Sequence, residues 1–137
     1  MYTIKKESFT LELEPFVDFG DLYKRKTEML RIKVKSYRFY AETEFPADTP
    51  SLAEFAEQLN RLYETLDGEA ELKSTSDGYN RLKFEALHRG QILISGTLSM
   101  RENGQSYEMT FYNSIDQTVF RDFAKSLYSN LSMLESR

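Results

Sequence analysis

Glutamates stand two residues apart at three places, Glu12/Glu14, Glu42/Glu44 and Glu69/Glu71. Two neighbouring carboxylates could serve general acid–base catalysis if a pocket tuned one against the other. Each pair alternates with inward-facing residues, so on a strand both carboxylates face solvent rather than a pocket. Left in water, they make poor general acids. The single histidine, His88, lies in the turn-like stretch "LHRGQ", and one histidine completes neither a triad nor a histidine metal site. The absence of cysteine excludes disulfides and thiolate metal sites. No Gly-rich phosphate loop, Walker pattern or EF-hand spacing occurs. The expectation is a protein with no catalytic residues, no metal and no cofactor.

Asp116 and Gln117, in "YNSIDQTVFRDFAKSL", raise the same question at a strand–helix junction. Val119, Phe120, Phe123, Ala124, Leu127, Tyr128 and Leu131 recur behind them at helical spacing. Asp116 is therefore expected to cap a helix, accepting orphan amide bonds at its positive end.

Charge divides along the chain beneath a net value of −4. Seven basic residues and one acid, Glu28, lie between Lys24 and Arg38, whereas Tyr40–Leu72 holds nine acids against Arg61 alone. The plain reading is a solvated helix face beside a charged strand. The sharper one is an acidic surface that steers a basic partner. Basic Arg31, Lys33 and Lys35 near Tyr37 and Tyr40 bring nucleic acid to mind, but the neighbouring acids would repel phosphates, so no nucleic-acid partner is expected.

The elements that must position these groups follow from periodicity. "SFTLELEP" and "LRIKVK" alternate as half-buried strands, and a β-bulge near Lys35–Ser36 would carry the second on to Tyr37, Phe39 and Ala41. The apolar connection 15–28, with Phe16, Val17, Phe19, Leu22 and Tyr23, is expected to pack over a sheet edge. "DTPSLAEFAEQLNRLYETLDG" reads as a helix capped by Thr49 with Pro50 first, or by a Ser51/Glu54 capping box, and stopped by Gly68. Residues 69–113 read as a four-stranded meander. Asn103-Gly104 pairs Met100 with Tyr107 and Gly96 with Phe111, and the His88-Arg89-Gly90 turn pairs Phe84 with Ile94. "TSDGY" sets Leu72 against Leu82.

The expected architecture is α+β: one six-stranded, mostly antiparallel sheet in the order ββαββββα, with two helices packed on one face. At 137 residues the chain fits a single domain, 1–137. Its first residues, "MYTIKKESFTLELEP", lack the apolar core of a signal peptide, and no apolar run approaches the ~20 residues of a membrane span. A cytoplasmic protein with no membrane partner is expected, and nothing indicates a homo-oligomer.

"RLKFEALHRGQILISGTLSM" followed by "YEMTFYNSIDQTVFRDFAKSL" resembles the WapI-like immunity proteins of bacterial polymorphic and contact-dependent toxin systems. The resemblance runs over about residues 30–132. It departs from the family in lacking the Asn-Trp-Leu stretch of the early strand, since the chain has no Trp. It implies a non-enzymatic protein that binds and blocks a cognate toxin domain, often a nuclease. Combined with the charge division, it points to Glu42, Glu44, Asp48, Glu54, Glu57 and Glu64 as the partner-binding surface. The alternatives are a ligand-binding or assembly module, and a small hydrolase using surface carboxylates.

Overall fold

The computed structural model describes residues 1–19, 26–74 and 80–135, with the side chains of the last helix described through Leu131. Eight strands and two helices follow one another as β1 (Tyr2–Lys6), β2 (Phe9–Asp18), β3 (Thr27–Ser36), β4 (Phe39–Pro46), α1 (Thr49–Thr65), β5 (Glu69–Lys73), β6 (Arg81–Ala86), β7 (Gln91–Glu102), β8 (Gln105–Asp116) and α2 (Gln117–Glu135). The class is α+β, but the strands form two four-stranded antiparallel sheets, β1-β2-β3-β4 and β5-β6-β7-β8, rather than one six-stranded sheet.

Two tight turns account for the extra strands. Lys6 pairs with Phe9 and Ser36 with Phe39, so each connection spans only two residues, Glu7-Ser8 and Tyr37-Arg38. Neither contains the Gly, Asn or Pro that marks such a turn in a sequence. Tyr37 takes a left-handed φ of 57° without being glycine, and its N–H donates to the Ser8 carbonyl at 2.8 Å, tying the two turns together. The phase shift at Lys35–Ser36 is therefore a chain reversal and not a bulge. The stretch 15–28 is also no simple connection: Pro15–Asp18 completes β2 and pairs with Thr27–Leu30 of β3. Leu22 and Tyr23 lie outside the described residues.

The meander stands as read. Met100 lies opposite Tyr107, Gly96 opposite Phe111, Phe84 opposite Ile94 and Leu72 opposite Leu82. Asn103 and Gly104 both take positive φ, 51° and 75°, as a two-residue hairpin turn demands. The "TSDGY" turn itself falls outside the described residues, although the register on either side of it is as expected. What covers the apolar face differs along its length. The Phe84 ring lies 5.6–5.9 Å from those of Phe55, Phe120 and Phe123 on the two helices. Phe111, farther along, meets Phe9 of the first sheet at 6.2 Å. Met100 and Tyr107, at the far end of the same face, are exposed. Apolar residues from both sheets and both helices form one buried cluster.

The helix starts are set by aspartates. Asp116 Oδ1 accepts from the Val119 N–H at 2.9 Å, the cap expected of it. In α1 the cap is Asp48, not Thr49 or Ser51: its Oδ1 accepts from the Ser51 N–H at 2.8 Å. Thr49 is instead bound through its N–H and hydroxyl to the Glu28 carboxylate, which fastens the helix start to β3. Past the other end, Leu66 turns left-handed with φ 53° and Gly68 follows at +89°. Asp116→Ala should cost about 0.5–2 kcal/mol, the usual range for a lost N-cap. Urea unfolding checks it, and unchanged stability would leave the Asp116 carboxylate without its capping role.

Candidate partner-binding surface

The paired carboxylates all face outward, and in each pair at least one answers a basic residue on its own sheet. Arg31 is gripped by Glu44 at 2.8 Å and by Glu14 at 3.0 Å, with Glu42 farther off at 3.8 Å. Lys33 also stands 3.8 Å from Glu42. Lys83 holds Glu69 at 3.0 Å, and Lys73 holds Glu71 at 3.1 Å. Cross-strand placement explains this, since Glu44 lies opposite Arg31 and Glu42 opposite Lys33 in the β3–β4 ladder. The Glu44 carboxylate, with Glu14 behind it, raises the Arg31 pKa against the opposing effect of burial. Glu69 raises Lys83 in the same way. A raised lysine stays charged throughout the range below its ordinary pKa and loses its proton only as pH climbs through the raised value. These pairs therefore stay intact at neutral pH. His88 is exposed within a single 3-10 turn, His88–Gly90. Among the described residues, no group of His, Cys, Asp or Glu is arranged to hold a metal ion.

The six acids expected to bind a partner are thus divided among different tasks. Glu44 is committed to Arg31, and Glu42 loosely to Arg31 and Lys33. Asp48 caps α1. Glu64 lies 3.6 Å from Lys125 of α2 and accepts from the Asn60 side chain at 3.3 Å. Glu54 and Glu57 are exposed on α1, with no ion pair to any described residue. The structure places Glu42 and Glu44 on the outer side of β4 and strings Glu54, Glu57 and Glu64 along the solvent side of α1. Asp48 lies at the junction between them.

A concave feature that the periodicity did not reveal lies where the two sheets meet. β4 is the edge of its sheet, and β7 continues past the start of β6, leaving residues beyond Thr97 without a ladder partner on that side among the described residues. The two strands approach there. Thr43, buried on β4, donates its hydroxyl to the Ser99 carbonyl at 3.1 Å, while the Ser99 N–H donates to buried Asn80 at 2.8 Å. A cleft of about 610 Å³ runs beside this contact, between β4 and the β7–β8 arm, with Tyr40, Glu42, Met100, Tyr107, Glu108 and Met109 in its walls. A second cleft of about 690 Å³ adjoins it, and Arg101 stands there. The Tyr40 hydroxyl donates to Glu42 Oε2 at 3.2 Å. Burial first, then the Glu42 carboxylate, raises the Tyr40 pKa, so the phenol remains a donor at neutral pH. Met100 and Tyr107 were legible as one end of an apolar face; that this end stays uncovered was not.

Two antiparallel four-stranded sheets joined to two helices define the class: an α+β fold whose sheets carry ion-paired outer faces. A family model for the immunity protein WapI-like family matches residues 3–134, and the chain belongs to that family. It therefore stands among proteins whose role is to neutralise a toxin. No curated protein matches the sequence. Similar solved structures are WHY1 of Arabidopsis thaliana (15% identity, TM-score 0.52, covering 98% of this chain and 92% of that one) and WHY3 of the same plant (15%, 0.50, 98% and 91%). The plant transcriptional regulator PBF-2 is also similar (14%, 0.50, 98% and 83%). At these identities the likeness is one of fold alone. No helix among the described residues is long and apolar enough to cross a membrane.

Proposed function

We propose that the protein is a cytoplasmic, non-enzymatic immunity protein, acting as one domain over residues 1–137. It binds a cognate toxin domain of basic, nuclease type and blocks its active or substrate-binding surface. Membership of the WapI-like family over residues 3–134 carries this reading. The partner is a protein rather than nucleic acid, because the basic strand that could attract phosphates has Arg31 and Lys33 facing Glu14, Glu42 and Glu44. Glu42, Glu44, Asp48, Glu54, Glu57 and Glu64 form the acidic surface offered to the toxin. Glu54 and Glu57 contribute most to long-range attraction, since no described cation pairs with them.

Exposed charges act chiefly on encounter, and salt screens them beyond about 8 Å at physiological ionic strength. The Glu54→Lys, Glu57→Lys pair should slow association with the cognate toxin domain by about tenfold at low salt, and by less at high salt. Asp48→Asn keeps a competent cap while removing a charge, so it should slow association slightly and leave unfolding unchanged. Stopped-flow association at two salt concentrations measures both. Unaltered on-rates at both salt concentrations would end the acidic-surface assignment and leave neutralisation through another face. Failure of the wild-type protein to bind that toxin at all would end the immunity reading.

A further inference from the structure

We infer that the cleft between β4 and the β7–β8 arm is an anchor pocket for a basic side chain, an arginine, presented by the protein partner. Its composition carries the inference. Two tyrosines, Tyr40 and Tyr107, are 59% and 55% exposed, far more than a core role would leave them, and Met100 beside them is 41% exposed. Exposed rings and thioethers in a concave site are what a flat cation packs against, and Arg gains more from this than Lys does.

Charge complementarity points the same way. Both charged residues in the cleft wall, Glu42 and Glu108, are acids. Glu42 is only loosely compensated: it sits 3.8 Å from both Lys33 and Arg31, and Arg31 is held closer by Glu44 and Glu14 at 2.8 and 3.0 Å. The Tyr40 hydroxyl holds one of its oxygens in place at 3.2 Å. Glu108, opposite Ser99 in the ladder, is exposed and forms no ion pair with any described residue. Arg101 lines the adjoining cleft rather than this one, and its Nε donates at 3.4 Å to Ser106 of this cleft's wall. A guanidinium seated in the cleft has the Glu42 carboxylate as a hydrogen-bond acceptor, with Glu108 adding negative charge at the wall.

The cleft is also rigidly framed. Ser99 is held through its carbonyl by Thr43 of β4 and through its N–H by buried Asn80, so one wall is fixed against the other before a partner arrives. Pre-formed pockets that accept a single Arg, Tyr or Trp are where binding energy concentrates at protein interfaces. The identity of the partner as toxin rests on the proposed immunity role; the chemistry of the pocket does not.

The test separates the two. Protein labelled at its methionine methyls is titrated by NMR at low ionic strength with acetyl-Gly-Arg-Gly-amide, and then with the Lys and Glu counterparts. The Met100 and Met109 methyls should shift saturably in the millimolar range with the Arg peptide, less with Lys and not with Glu, while those of Met1 and Met29 stay still. The Glu42→Gln, Glu108→Gln double variant should weaken the Arg response about tenfold, equivalent to roughly 1.4 kcal/mol. Methyls that do not move, or that move equally with the Glu peptide, overturn the pocket. In a second arm, Tyr107→Ala should speed dissociation of the toxin domain by about tenfold or more. A cleft that binds the Arg peptide but leaves the Tyr107→Ala toxin complex unchanged overturns the toxin as the source of the arginine. Loss of toxin binding by the wild type would instead fall on the immunity reading.

Discussion

Phe84→Ala should destabilise the protein by about 3–5 kcal/mol, the range for deleting a fully buried aromatic ring. Phe84 is completely inaccessible and lies at the middle of the aromatic contacts that join β6 to both helices. Phe55 approaches it from α1 at 5.9 Å, Phe120 from α2 at 5.7 Å and Phe123 from α2 at 5.6 Å, the last nearly parallel. Removing the ring withdraws a partner from each of these three at once, and no one neighbour can close the space. Small domains are stable by only about 5–15 kcal/mol, so this single change would consume a large share. Denaturant titration followed by circular dichroism measures it, with the midpoint falling and the slope unchanged. A loss under about 1 kcal/mol would mean that the helices are held to the second sheet by something other than this cluster.

Gly96→Ala should be the second most damaging change, although it adds one methyl. A Cβ there would come within 2.6 Å of the Arg81 carbonyl oxygen and 2.8 Å of Phe111 Cζ. The first obstacle is backbone of the neighbouring strand and cannot swing aside; the second is a ring wedged against Phe9. Overpacking of this kind costs about 1–3 kcal/mol. Because the strain falls where the two sheets touch, Phe111→Leu in the same chain should recover part of the loss by relieving the ring contact. The backbone clash would remain. Equal stability of Gly96→Ala and wild type in urea would show that β6 and β7 separate more readily than their ladder implies.

The two changes mark what was legible in the chain and what was not. Gly96 was already placed opposite Phe111 by the Asn103-Gly104 turn, because a turn with positive φ at both centres permits one register and the apolar alternation agrees with it. The two helices and the Asp116 cap were visible for a similarly local reason: stripe, cap and stop lie within a few residues of one another. Family membership was legible in the second half of the chain, from the Glu-bearing strand to the Asp-Gln-Thr helix start.

The turns at Glu7-Ser8 and Tyr37-Arg38 could not be read. Their residues carry no turn chemistry, and Tyr37 accepts a positive φ only in a context where its N–H finds the Ser8 carbonyl. With these turns hidden, β1 was missed, β3 and β4 read as one bulged strand, and two sheets read as one. The same blindness governs the acids. Sequence alone determined that nine acids crowd one segment and that Arg31 and Lys33 precede them. Only the tertiary structure decided which acids are already answered, because cross-strand register sets Glu44 against Arg31 and helix packing sets Glu64 near Lys125. Periodicity assigns a residue to a face but cannot say what lies above that face. Phe84 is covered by helices, Phe111 by the other sheet, and Tyr107 by neither, because the angle at which two sheets meet depends on side chains far apart in the chain.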